Sequence, residues 1–152
     1  MILTQVNSKD EKNVIIVEKD LFMKEIKNQE YISQIIIVII ESEDSIPEDY
    51  VKNKYVLFET SFEKALSKAY KIRKVNTIFV LGGSTLFSKA FQDKRCSRIY
   101  LTVSKREVLC DSISQEFKDL ITGKLCKIYK LVRNRSYTKN SEYRIYERNI
   151  LK

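Results

Sequence analysis

The chain has 152 residues, 43% hydrophobic and 32% charged, with three Gly, one Pro and a formal net charge of +8. This is enough chain to bury a sizeable core, and the composition is that of a globular protein rather than a disordered one. There is no His, which excludes Ser–His and Cys–His nucleophile systems and removes the commonest metal ligand.

No apolar run approaches the ~18 residues that a membrane-crossing helix needs. The N-terminus, MILTQVNSKDEK, has no basic region followed by an apolar one, so no signal peptide is expected. Cys96, Cys110 and Cys126 are odd in number and show no ligand spacing. They predict reduced structural thiols in a cytoplasmic protein and no metal site. The charge is unevenly divided. Residues 1–50 hold 5 Lys/Arg against 11 Asp/Glu, and residues 51–152 hold 23 against 9. A basic later part of this size fits a polyanionic partner; a lysine-rich solvated surface is the competing explanation.

In chain order, residues 1–6 can form a short strand and residues 13–17, NVIIV, a second. Asp20 can cap a helix carrying Leu21, Phe22 and Ile26. Residues 34–40 contain the longest apolar run, IIIVII, which suits a central strand buried on both faces. An acidic loop, ESEDSIPE, holds the only proline, Pro47. Residues 54–58 make another strand. Thr60 and Glu63 then have capping-box spacing, ahead of a helix with Phe62, Leu66 and Ala69 or Tyr70 on one stripe. Lys71, Arg73 and Lys74 close that helix, where cations suit its dipole.

Residues 75–90, VNTIFVLGGSTLFSKA, read as a strand, a double-glycine turn and a helix start. The β-branched and apolar run at residues 77–81 predicts a strand covered on both faces. Gly82 and Gly83 permit close approaches that a Cβ would block, and Ser84 or Thr85 can cap the helix. Such a junction is a ready anion site; it is equally a plain tight connection. A strand follows at residues 98–104, an irregular stretch at 105–115 and a helical turn near 117–121. Residues 125–132 and 142–147 read as two long strands joined by a polar loop, residues 133–141. Alternating strands and helices closed by two strands argue for one mixed, mostly parallel sheet with helices on its faces.

The order of these segments resembles dihydrofolate reductase. VLGGSTLFSKAF is similar to that family's strand–Gly-Gly–helix segment at the cofactor pyrophosphate. RIYLTVSKREVLCDSISQEF is similar to the next strand and the stretch beyond it, with Asp111, Ser112 and Glu116 at matching places. EYRIYER resembles the closing strand, TSFEKALSKAY the helix before the glycines, and NVIIVEKDLFMKEI and QIIIVIIES the two segments that hold the cofactor's phosphates. The resemblance covers residues 13–148. It implies an α/β, three-layer fold in a single domain over 1–152, with a mixed, mostly parallel sheet and a C-terminal antiparallel hairpin.

Several departures accompany it. Only twelve residues precede NVIIV, too few for the family's substrate loop and carboxylate-bearing helix. Thr102 matches a threonine beside the pterin. Glu18 and Asp20 stand where the resemblance implies a glycine and a phosphate-binding hydroxyl, and Glu41 where it implies an arginine, so attraction for phosphate becomes repulsion. Gly82, Gly83, Ser84 and Thr85 still match, as vestiges, and the double glycine can preserve a tight or cis peptide.

The expectation from the sequence is therefore a chain that is not an enzyme, with no catalytic residues, no bound cofactor and no metal. It is expected to serve as a basic factor bound to the ribosome or another RNA assembly, for example in dormancy or hibernation. Lys124, Lys127, Lys130, Arg133, Arg135, Tyr137, Lys139, Arg144, Arg148 and Lys152 are the candidate RNA-binding residues. Arg133, Arg135 and Lys139 are expected in the hairpin loop. The alternatives are an NADPH-dependent reductase of altered substrate and a protein–protein interaction module.

Overall fold

The computed structural model describes residues 11–26, 35–40, 50, 53–104 and 119–149. The strand expected at residues 1–6, the acidic loop with Glu41 and Pro47, and Cys110, Asp111, Ser112, Glu116 and Lys152 lie outside the described residues. The chain, expected as one domain, divides into two compact units, Met1–Leu86 and Phe87–Lys152.

The first unit is built on a four-stranded parallel sheet, β1 (Lys12–Glu18), β2 (Ile35–Ile39), β3 (Val56–Glu59) and β4 (Val75–Leu81), in the order β3-β2-β1-β4. The apolar runs explain which strands lie inside. Val14 to Val17 have no solvent exposure, nor have Ile37 and Val38, as expected for parallel strands covered on both faces. The side chains of Ile15, Val17, Ile36, Val38 and Ile40 meet Phe22 and Val56 in one cluster. Phe22 lies where α1 (Lys19–Leu21) runs into a π-helical turn, Phe22–Ile26, and its ring meets that of Tyr50 edge-on. The strand before the double glycine departs from expectation. β4 pairs with β1 alone among the described residues, and no β4 side chain is fully buried.

Helix α2 (Phe62–Lys71) buries Phe62, Ala65, Leu66 and Ala69 and leaves Tyr70 exposed. Its cap is Ser61 rather than Thr60: the Ser61 hydroxyl accepts the Lys64 N–H at 3.2 Å, while Thr60 receives the Lys64 ammonium. Lys74, at φ 60°, turns the chain into β4. Helix α3 (Ser84–Gln92) follows directly on Gly83.

The second unit holds an antiparallel sheet of β5 (Arg98–Ser104), β6 (Tyr129–Thr138) and β7 (Ser141–Arg148), in the order β5-β7-β6. One face packs Ile99, Tyr129 and Tyr146 against Phe91, Leu120 and Leu125. A π-helical turn, Leu120–Lys124, leads into α4 (Leu125–Ile128), so the expected strand starts four residues late. The hairpin loop is also shorter than expected. The strands continue to Thr138 and resume at Ser141, leaving Lys139 and Asn140 as the turn. The expected α/β architecture, with a mostly parallel sheet and a closing antiparallel hairpin, is the one observed.

Candidate functional site

From β1 the chain steps outward through β2 to β3, then returns to the opposite side of β1 to form β4. The direction of winding thus reverses between β1 and β4. In open parallel sheets such a reversal leaves a crevice beyond the carboxyl ends of the two strands, where ligands bind. Val17 pairs with Leu81, so Glu18 and Gly82 emerge side by side at that end.

Close approach restricts both glycines there, Gly82 more than Gly83. A Cβ on Gly82 would lie 2.7 Å from Leu86 Cδ2 and 2.9 Å from Leu86 Cβ. A Cβ on Gly83 would lie 3.2 Å from Glu18 Oε2. Neither glycine has positive φ, and among the described residues no peptide is cis; the conformation expected at the Gly-Gly bond is not the reason for the pair. The Gly83 N–H donates to Glu18 Oε2 at 2.9 Å. A carboxylate oxygen therefore stands where the junction offers its backbone donor at the start of α3. The turn holds an anionic oxygen, and the chain supplies that oxygen itself. Ser84 opens α3, Thr85 is exposed, and Asp20 is exposed on α1. Among the described residues no group of His, Cys, Asp and Glu could hold a metal ion, and no helix is long and apolar enough to cross a membrane.

The candidate RNA-binding residues separate into distinct environments. Arg148 is structural. Its guanidinium donates to the carbonyls of Cys96 (2.8 Å), Phe91 (3.2 Å) and Asp93 (2.8 Å) and to the Tyr129 hydroxyl (2.7 Å), and lies 4.8 Å over the Tyr129 ring. A cation there gathers carbonyls at the end of α3 and in its following turn, of which that of Asp93 also accepts the Cys96 N–H. The Tyr129 hydroxyl also donates to Cys96 O, and it is held above its ordinary range by burial first and the Cys96 side chain second. Arg144 is paired with Glu142 at 2.8 Å. Lys124 and Lys127 lie in the helical segment before β6, outside the hairpin strands themselves, and Lys139 is at the turn. Tyr137 lies in β6.

Lys130, Arg133 and Arg135 are exposed along β6. Arg133 and Arg135 are strand residues, not loop residues. Their orientation depends on an irregularity that composition does not reveal. Leu131 pairs with Tyr146 and Arg133 with Ile145, so Val132 is an extra residue. The bulge reverses the alternation beyond it and turns Arg133 and Arg135 to the same face as Lys130.

Tyr100 and Tyr143, which the sequence reading left out as a pair, lie on that face. Their rings stack at 6.3 Å between centroids and 25° between planes. Tyr100 is opposite Ile145 and Tyr143 is two residues along the same strand, a diagonal neighbour within reach of an aromatic ring. Burial raises the Tyr143 hydroxyl pKa and Tyr100 adds to the rise, while Arg133 and Arg98 act against it. The sequence signal was the alternation in β5 and β7; register was needed to join the two strands.

No family model matches the chain. A dihydrofolate reductase of Aedes albopictus is 34% identical over 64 residues, which is 40% of this chain and 34% of that protein. The chain thus matches about a third of that relative's length. The structure of dihydrofolate reductase from Enterococcus faecalis superposes with a TM-score of 0.63 and 20% identity, covering 91% of this chain and 75% of that one. The chain has the dihydrofolate reductase fold. The likeness corrects the expectation of a chain that is not an enzyme: what the chain resembles, over 64 residues of sequence and in fold, is a dihydrofolate reductase.

Proposed function

We propose that this chain is a reductase of the dihydrofolate reductase type, using a nicotinamide cofactor to reduce a small ring substrate. The observation that carries the reading is the Gly82–Gly83 junction at the winding reversal between β1 and β4, with its backbone N–H already holding an anionic oxygen. A Cβ on Gly82 would run into Leu86, and one on Gly83 would press on Glu18 Oε2. The Enterococcus faecalis structure of the same fold was solved with NADP(H). The cofactor would supply the hydride. This chain's part is to hold its phosphates at the start of α3, where N–H groups and the helix dipole favour negative charge, with Glu18 turned aside and Lys19 beside it. The reading fits a cytoplasmic enzyme, with Cys96 and Cys126 as free thiols.

The test is titration of the protein with NADPH and NADH by fluorescence and calorimetry, followed by cofactor oxidation with dihydrofolate as the first substrate. Saturable binding of one of the two and substrate-dependent oxidation are expected. Absence of binding to both would refute the reading. A second reading, an RNA-containing partner such as the ribosome, is supported by the three exposed cations of β6 and is compatible with the first.

A further inference from the structure

We propose that the open face of the β5-β7-β6 sheet is a platform for single-stranded nucleic acid, with one base stacking on Tyr100 and the backbone following Lys130, Arg133 and Arg135. This proposal does not rest on the reductase reading, although Thr102, which the resemblance matches to a threonine beside the pterin, lies on the same face.

Register alone lays out the platform. Residues directly opposite in an antiparallel sheet point to the same face. Three rows therefore cross the open face: Arg98, Glu147 and Lys130; Tyr100, Ile145 and Arg133; Thr102, Tyr143 and Arg135. The opposite face carries Ile99, Tyr146 and Tyr129, which are buried, as is Ile145 beneath its neighbours at the middle of the platform. Tyr100 is 44% exposed although its ring is stacked on Tyr143. A tyrosine braced by a second ring offers its outer side as a rigid flat surface, and stacking of a base on such a surface tolerates any base.

Charge on this face favours an anionic strand. Glu147 is its one acid among the described residues, and it is paired with Arg98. Lys130, Arg133 and Arg135 have no acid within ion-pairing distance among the described residues, and all three are exposed. They form a row on β6, one strand beyond β7 and two strands beyond Tyr100. Neighbouring strands lie about 4.8 Å apart, so the row is roughly 10 Å from the Tyr100 strand. A nucleotide whose base lies on Tyr100 can direct its phosphates toward this row. The Val132 bulge is what places Arg133 and Arg135 there. The aromatic pair separates this ligand from other polyanions, which have charge but no ring to stack. A duplex hides its bases from such a surface, so a single strand is the form selected.

The experiment uses the full chain and 3′-fluorescein-labelled ten-residue oligouridylate, its deoxyribose counterpart and a ten-base-pair RNA duplex, read by anisotropy at 50–200 mM salt. Saturable binding of a single strand is expected, with the duplex bound more weakly. Preference for the ribose strand would identify RNA as the source of the ligand, and equal affinity would extend the site to DNA. Three phosphate contacts predict a slope of about −2 for log affinity against log salt. In R133A/R135A the slope should fall to about −0.7. Y100A should bind about tenfold more weakly with its slope unchanged, and Y100F should retain affinity because the ring is retained. R144A, on the opposite face, should bind like the parent chain. No single-strand binding at 50 mM salt, equal binding of the duplex, or full affinity in Y100A would each overturn the proposal.

Discussion

Replacing Glu18 tests the reductase reading at the atom on which it rests. Glu18 Oε2 and a cofactor phosphate oxygen cannot both accept the Gly83 N–H at about 2.9 Å, so binding must displace the carboxylate. A hydrogen bond to a charged group contributes about 1.5–3 kcal/mol net. Glu18 is half-buried and regains water when it swings away, which favours the lower end. The displaced carboxylate still repels a phosphate about 4 Å away by about 1 kcal/mol at the dielectric of water. The sum is about 2.5 kcal/mol, or about sixtyfold in affinity. E18G removes both contributions and should bind NADPH about sixtyfold more tightly. E18Q keeps an acceptor oxygen but loses the charge, so it should fall between E18G and the parent chain. Asp20 is exposed and makes no contact with the turn that resembles that of Glu18, so D20N should change affinity less than twofold. Fluorescence titration with NADPH provides the measurement, and far-ultraviolet circular dichroism checks the fold. Unchanged or weaker binding by E18G would show that the cofactor does not use this junction.

Other predictions concern the framework. R148M should lower stability by about 3 kcal/mol, because it leaves three carbonyls and the Tyr129 hydroxyl without their shared donor; urea unfolding measures this, and a loss below 1 kcal/mol would refute the assignment. The same variant should leave oligonucleotide affinity unchanged. G82A should cost about 1–3 kcal/mol, since Leu86 Cβ is fixed to the helix at 2.9 Å from the new methyl. G83A should cost less, because its new neighbour is the movable end of Glu18; equal losses would contradict this. The raised Tyr129 pKa sets the sign of an alkaline effect. The folded chain keeps this proton after the unfolded chain has released it near pH 10, so the contribution is complete below that pH and is lost as pH rises toward the folded value. Thermal unfolding of Y129F should show a shallower decline above pH 10 than the parent chain.

The fold was legible because its strongest signals are local. NVIIV and IIIVI can be placed only inside a sheet, and the two glycines mark a junction in which Gly82 has no room for a Cβ. The reversal of winding between β1 and β4 follows from the order of such segments, not from any one residue. Signals that depend on register were not legible. Nothing in LVRNR tells that Val132 is the extra residue, yet that residue decides whether Arg133 and Arg135 share a face with Tyr100 or with Tyr146. Arg148 shows the same difficulty in reverse. Its place in a basic, tyrosine-rich segment suggested RNA, but the carbonyls that hold it come from residues 91–96, more than fifty positions away.

Glu18 shows most directly how composition and geometry can lead to opposite functional conclusions. An acid beside a phosphate site, considered as charge alone, argues against binding, and from it an absence of enzymatic function was expected. The structure shows the same acid seated on the Gly83 N–H, where its oxygen demonstrates that the junction can hold an anion. Repulsion and occupancy are both consequences of one carboxylate, and they differ in what removal does. A carboxylate that had destroyed the site would leave nothing to recover when deleted. One that competes for an intact donor leaves the donor behind. The Gly83 N–H, the start of α3 and the close packing of Leu86 against Gly82 do not depend on Glu18, so the junction should persist without it. The gain or absence of cofactor affinity in E18G therefore decides between these two meanings of one residue.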